Sequence, residues 1–223
     1  MDCFQSRFSQ VVLRLLIGAV LFYGLSVAAQ IDLTAQFIQR IEKKFGAQAA
    51  KRVVTWRDLM AVKSTQTEHE KLTRVNDFFN QRTQFVDDSK LWNVKDYWAT
   101  PLEFLVKGAG DCEDYAIAKY FTLKALGVDD KKMRLTYVKA LKLNQAHMVL
   151  TYFETPRSVP LVLDNLDTAI KPALQRKDLL PVYSFNGTGL WLAKAQGRGK
   201  KVGQSSRVNL WRDLNARMEK VSF

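Results

Sequence analysis

The sequence predicts an α+β domain. Helical signals run to about residue 127, and strand signals take over from about 128 to 195. With 47% hydrophobic and 25% charged residues in 223, the composition is that of a globular chain able to bury a core, not of a disordered or fibrous one.

The first 29 residues stand apart. Arg7 and Arg14 precede an apolar run from Leu15 to Leu25, and Ser26-Val27-Ala28-Ala29 supplies small residues suited to cleavage before Gln30, as in a secretory signal peptide. The run is shorter than the roughly 20 apolar residues that span a bilayer, so cleavage is expected and no stable membrane span. Residues 30–223 are expected to form a single domain: helices over about 30–127, strands over about 128–195 and a basic tail over about 196–223.

Leu33, Phe37, Ile38, Ile41 and Phe45 fall near one helical face, and Gly46 stands where that helix should stop. The segments from Gln48 to Val62 and from His69 to Phe85 repeat the pattern, the second with Leu72, Val75, Phe78 and Phe79 as its stripe. After a polar joint from Val86 to Lys90, Thr100-Pro101-Leu102-Glu103 carries an N-cap, a first-turn proline and the reciprocal capping acid. Gly108-Ala109-Gly110 halts that helix. Asp111 can cap the next one, which carries Asp114 in its first turn and closes at Gly127. Strand signals then cover 133–140, 147–153, 159–165, 181–185 and 188–193, rich in Val, Tyr, Leu and Phe. Polar, glycine-rich 197–206 reads as a loop before a last short helix through Trp211 and Leu214.

The formal net charge of +12 suits acidic partners or an anionic surface. Nucleic acid is not expected, because an exported protein rarely meets it and neither zinc-finger spacing nor an aromatic RNA-binding motif is present. The basic excess is most visible in Lys194, Arg198, Lys200, Lys201, Arg207, Arg212 and Arg217, which read as a solvated face.

Cysteine usage points to chemistry. Cys3 lies in the leader, so Cys112 remains alone and cannot form an intramolecular disulfide in an oxidising compartment. A thiol attacks as thiolate, and the start of a helix favours that anion through unpaired N–H groups and the dipole. Cys112 sits at such a start, behind glycines that let a substrate backbone approach. Of the chain's two histidines, His69 lies in a charged helix start, whereas His147 opens an apolar strand. If the strands around 147–153 and 159–165 form a hairpin in which opposed residues sum to 311, Asp164 faces His147 and can fix its tautomer; Asn165 and Asp167 remain substitutes. Asp111, Glu113 and Asp114 oppose thiolate formation. They are either ordinary acids at a helix N-terminus or ligands of a hard dication such as calcium. Trp98 reads as a core residue.

Asp96-Tyr97-Trp98-Ala99-Thr100-Pro101, Gly108 to Tyr120 around Asp111-Cys112-Glu113-Asp114, Ala146 to Leu150 and Leu163-Asp164-Asn165 together resemble the bacterial transglutaminase-like cysteine proteinases of the LapG type, over about residues 35–195. The resemblance implies a papain-like, transglutaminase-like core with the catalytic Cys at a helix N-terminus, followed by an antiparallel sheet. Cys112, His147 and Asp164 fall on the family's catalytic positions, and its calcium ligands fall on the motif holding Asp111, Glu113 and Asp114. It further implies a periplasmic peptidase that cuts a large biofilm adhesin near its N-terminus at a di-alanine site. An inner-membrane cyclic di-GMP receptor would be the partner that sequesters it. The same three residues also suit a transglutaminase or a peptidoglycan amidase, and an inactive binding module of this fold is the reading from another class.

Overall fold

The computed structural model describes residues 33–61, 66–192 and 199–219. The leader at 1–29 and the basic residues Lys194 and Arg198 lie outside them. Among the described residues no helix is long and apolar enough to cross a membrane.

Helices α1 (Ala35–Phe45), α2 (Ala47–Ala61) and α3 (Glu68–Arg82) come first. Phe37 and Ile41 of α1, Val53 and Trp56 of α2, and Leu72, Val75 and Phe79 of α3 are buried, so the apolar stripes are packing surfaces. Thr34 caps α1, and Thr67 with Glu70 forms a capping box on α3. A short parallel pair, β1 (Gln84–Phe85) with β2 (Ala109–Gly110), brackets α4 (Asp88–Leu91) and α5 (Pro101–Lys107). The expected Thr100–Glu103 capping box is present on α5, and Gly108 ends it with φ 70°. Arg52 caps the freed Leu105 and Val106 carbonyls, and its guanidinium lies where a Cβ at 108 would sit.

Helix α6 (Cys112–Ala125) is central, packed against α3, α5 and the sheet. Ile117, Ala118, Tyr120 and Leu123 are fully buried and nearly every residue from Tyr115 to Leu123 is shielded, the pattern of a helix surrounded on all sides. Beyond Gly127 (φ 83°) the chain enters an antiparallel seven-stranded sheet of order β6-β5-β4-β3-β7-β8-β9. Its strands are β3 (Met133–Ala140), β4 (Gln145–Tyr152), β5 (Leu161–Leu163), β6 (Lys171–Pro172), β7 (Leu179–Phe185), β8 (Leu190–Leu192) and β9 (Lys200–Gly203).

Three expectations need correction. The β4–β5 pairs sum to 313, not 311, as in Leu150 with Leu163, because the turn centre lies one residue later in the chain. Residues read as loop at 197–206 include β9, a lysine-bearing edge strand of the kind that discourages further pairing. The basic tail is also not wholly a solvated face. Helix α7 (Asn209–Glu219) buries Trp211 and Leu214, with Trp211 stacked on Phe121 and edge-on to Phe185. Arg217 pairs with Glu103 and donates to the Trp98 carbonyl.

Candidate active site

Cys112 is the first residue of α6, behind the Asp111 N-cap. Asp111 accepts from Glu113 N–H, and Asp114 Oδ2 accepts from Asp111 N–H, closing a capping box around the thiol-bearing turn. Gly110 makes that box possible. A Cβ there would lie 2.3 Å from Asp114 Oδ2 and 2.8 Å from the Phe104 ring.

The buried Cys112 thiol donates to Glu113 Oε2 at 2.8 Å, and Tyr137 O–H donates to Glu113 Oε1 at 2.7 Å. Burial pushes the thiol well above its ordinary range, and the Glu113 and Asp111 charges push it further. The Met148 backbone N–H acts the other way, donating to sulfur and favouring the thiolate. The thiol therefore faces the backbone of the residue following His147.

His147 Nε2 and Asp164 Oδ1 are 2.7 Å apart, with both side chains buried. The corrected register explains why Asp164 still lies against His147. A shift of two in the sum leaves every side chain on its own face. Carried one residue past β5, it sets Asp164 diagonal to His147 instead of opposite, within reach for an imidazole and a carboxylate. Asp167 instead binds Lys171. With Nε2 committed to Asp164, Nδ1 is the nitrogen left to act as a base. Among the hydrogen bonds of the described residues the thiol's side-chain partner is Glu113 and not the imidazole, so His147 and Asp164 are joined while Cys112 stands beside them.

Asp164 is held from several directions. Its Oδ1 also accepts Asn165 and Leu166 N–H, its Oδ2 accepts Arg176 Nη2 at 2.7 Å, and its carbonyl accepts Asn80 Nδ2 and Lys119 Nζ. Burial alone would make this carboxyl less acidic. The bonds from His147, Arg176 and Leu166 outweigh it and hold the carboxyl at about 2.

A second acidic group lies next to the first. Asp88, Asp111 and Asp114 bring one carboxylate oxygen each within 4.8 Å of one another, as do the ligand atoms of Asp111, Cys112 and Glu113. Asp88 Oδ1 is buried with no hydrogen-bond partner. Burial and the Glu113 and Asp96 charges push Asp88 up to about 6, burial and the Glu113, Asp114 and Asp88 charges push Asp111 well up, and burial drives Asp114 well up. Such oxygen donors without a counter-charge can hold a hard dication. Of the expected ligands, Asp111 and Asp114 belong to this trio, whereas Glu113 turns to the thiol and Tyr137. Asp88 was missed because it sits in a joint read only as polar, 23 residues before Asp111 and with no motif of its own. Arg176 was missed for the same reason, but Lys119 left a signal: a lone charge inside Tyr115-Ala-Ile-Ala-Lys-Tyr-Phe.

Trp98 is 2% exposed and stacks on Phe185 at 5.6 Å, a core residue as expected, and His69 is exposed as expected.

The bacterial transglutaminase-like cysteine proteinase family matches residues 37–183. No curated protein matches the chain. Among solved structures, Legionella pneumophila LapG in its EGTA-treated form is 44% identical, with a TM-score of 0.71 over 82% of this chain and 96% of that one. Its calcium-bound form is also 44% identical, with a TM-score of 0.70 over 82% of this chain and 98% of that one. On the family match and this likeness, the chain belongs to the bacterial transglutaminase-like cysteine proteinases and is a cysteine protease.

Proposed function

We propose that this chain is an exported, calcium-dependent endopeptidase in which Cys112 is the nucleophile, His147 the base and Asp164 the residue that orients the base. The observation that carries it is the buried 2.7 Å bond from His147 Nε2 to Asp164 Oδ1, beside a thiol on the first turn of a helix. His147 Nδ1 takes the proton from Cys112 Sγ, and the sulfur attacks the scissile carbonyl. The Cys112 backbone N–H, at a helix start where such groups have no intrahelical partner, stabilises the oxyanion. His147 returns the proton to the leaving amine, and water, deprotonated by the same nitrogen, releases the acid from the thioester.

The trio Asp88, Asp111 and Asp114 fits a calcium ion: all donors are carboxylate oxygens, one of them a buried orphan. A bound dication would offset the charges that oppose thiolate formation and order the turn that presents Cys112. Likeness to a LapG solved with calcium supports this reading.

For substrate and setting, the resemblance points to the N-terminal region of a large surface adhesin cut at a di-alanine site, in the periplasm. That cut releases the adhesin and promotes biofilm dispersal, and an inner-membrane cyclic di-GMP receptor sequesters the enzyme. The test incubates the protein with the N-terminal fragment of a large adhesin from the same organism, with calcium or with EGTA. New peptide termini, lost with Cys112→Ala and with EGTA, are expected. Isopeptide products would instead mean a transglutaminase, and muropeptide release a wall amidase. Cleavage undiminished in Cys112→Ala rules out the assignment of the nucleophile.

A further inference from the structure

The second oxygen of Asp164 takes no part in holding the imidazole. It accepts Arg176 Nη2, from the turn between β6 and β7. Arg176 is 3% exposed, and an arginine is almost never so buried unless it is paired. Its Nε and Nη2 also reach the Asp178 carboxylate at 3.0 and 2.8 Å, and its Nε lies 4.0 Å from Asp167 Oδ2. Asp178 in turn accepts Leu141 N–H at its carbonyl, tying this group to the β3–β4 connection just ahead of His147. Asp178, Arg176, Asp164 and His147 thus form one chain of polar contacts that is buried from Arg176 inward.

Resting on the catalytic reading above, we propose that Arg176 is a positioning residue for the reaction: its guanidinium holds the Asp164 carboxylate against His147 and offsets its charge. The planar fork presents donors in fixed directions, so Asp164 and Asp178 together fix the plane of the group, and the group fixes Oδ2. With Oδ2 held, Oδ1 has one place to meet Nε2–H, and the ring has one orientation. The charge matters too. A buried carboxylate beside an imidazole favours the imidazolium, and a cation on its far side opposes that. The other charged or titratable groups around this unit are Lys119, 3.0 Å from the Asp164 carbonyl, the Cys112 thiol at the start of α6, and Asp167 and Asp178 behind Arg176.

Because His69 is the only other histidine, ring-labelled full-length protein in calcium gives a clean NMR titration with an internal reference. Arg176→Gln is expected to raise the His147 titration midpoint and shift its downfield Nε2–H resonance, with His69 unmoved. On the adhesin fragment it should lower kcat on the order of 10²-fold, as small misplacements of catalytic groups do, with little change in KM. Arg176→Lys restores the midpoint but only part of kcat, since an ammonium cannot grip both carboxylates in plane. Unchanged His147 resonances and kcat in folded Arg176→Gln overturn the proposal. Should that variant not fold, Asp178→Asn decides, because it loosens Arg176 without unpairing Asp164. A smaller shift in the same direction supports the proposal, and wild-type behaviour overturns it. A His147→Ala protein that still cuts the fragment removes the catalytic reading itself, whatever Arg176 does.

Discussion

Replacing Asp164 by Asn tests the buried centre of the site, because the change keeps shape, removes charge and titration, and turns one of two accepting oxygens into a donor. Burial raises this carboxyl, yet the bonds from His147 and Arg176 bring it from an ordinary 3.8 down to about 2 in the folded protein. That difference corresponds to roughly 2 kcal/mol of stability. The sign follows from the direction. A carboxyl that is more acidic when folded adds its stability above its ordinary value and loses it as pH falls toward the folded value. At pH 3, midway between the two values, about half of it has gone. Asn also leaves Arg176 with less compensation, although Asp178 still holds it. Breaking a buried pair from one side costs about 3–5 kcal/mol, so a deficit of about 3 kcal/mol is expected for the variant at neutral pH. Urea unfolding of wild type and Asp164→Asn from pH 7 to pH 3 measures the difference, and carboxyls common to both cancel. The gap should narrow by about 1 kcal/mol on acidification. A gap that stays constant or widens refutes the pairing energetics drawn from this geometry.

Three further outcomes are expected. EGTA should lower the melting temperature of the wild-type protein, and Asp88→Asn should raise the calcium concentration needed to restore it; an unchanged melting temperature in EGTA removes calcium from the proposal. Gly110→Ala should destabilise by about 1–3 kcal/mol in urea, as overpacking does, because the added Cβ meets the Asp114 carboxylate and the Phe104 ring, both fixed in the core. Wild-type stability would mean that the capping box has slack. Trp211→Ala should cost about 3–5 kcal/mol, since the indole is buried against Phe121 and Phe185; a loss within error would return the C-terminal segment to the status of an appendage.

Local physics made much of this legible. Thr100, Pro101, Glu103 and Gly108 mark the ends of α5 because capping is a matter of residues three apart, and Asp111 with Gly127 does the same for α6. Helical and strand periods separated the two halves. What escaped depends on contacts across the chain. Asp88 meets Asp111 only because β1 pairs with β2, and Arg176 meets Asp164 only because β5 pairs with β6 and the chain then turns back. Strand β9 was hidden by its own lysines, which suit an edge and read as a loop. Asp164 meets His147 despite the two-residue difference in register, because a shift of two preserves the face while a shift of one would have turned Asp164 away.

Lys119 shows why the helical half is needed for a candidate site whose His147 and Asp164 come from the sheet and its edge. It is fully buried, and desolvation brings its ammonium down from 10.5 to about 7, a costly group to keep inside a core. Methionine would fill much the same volume without that cost, so packing alone gives no reason for it. Its donors go to Asn76 Oδ1 and to the Asp164 carbonyl, and Asn80 on the next turn of α3 donates to the same carbonyl. Asp164 is therefore held at its main chain by two helices and at its side chain by Arg176 and His147. Each constraint alone leaves a rotation free, whereas together they fix both the backbone position and the plane of the carboxylate. Helix α6, which supplies Lys119, also begins with Cys112, so one rigid rod sets the thiol at its start and anchors Asp164, the proposed orienting acid, two turns on. The distance between thiol and acid is then a property of a helix and not of a loop, which is the rigidity that a proton transfer between fixed groups requires.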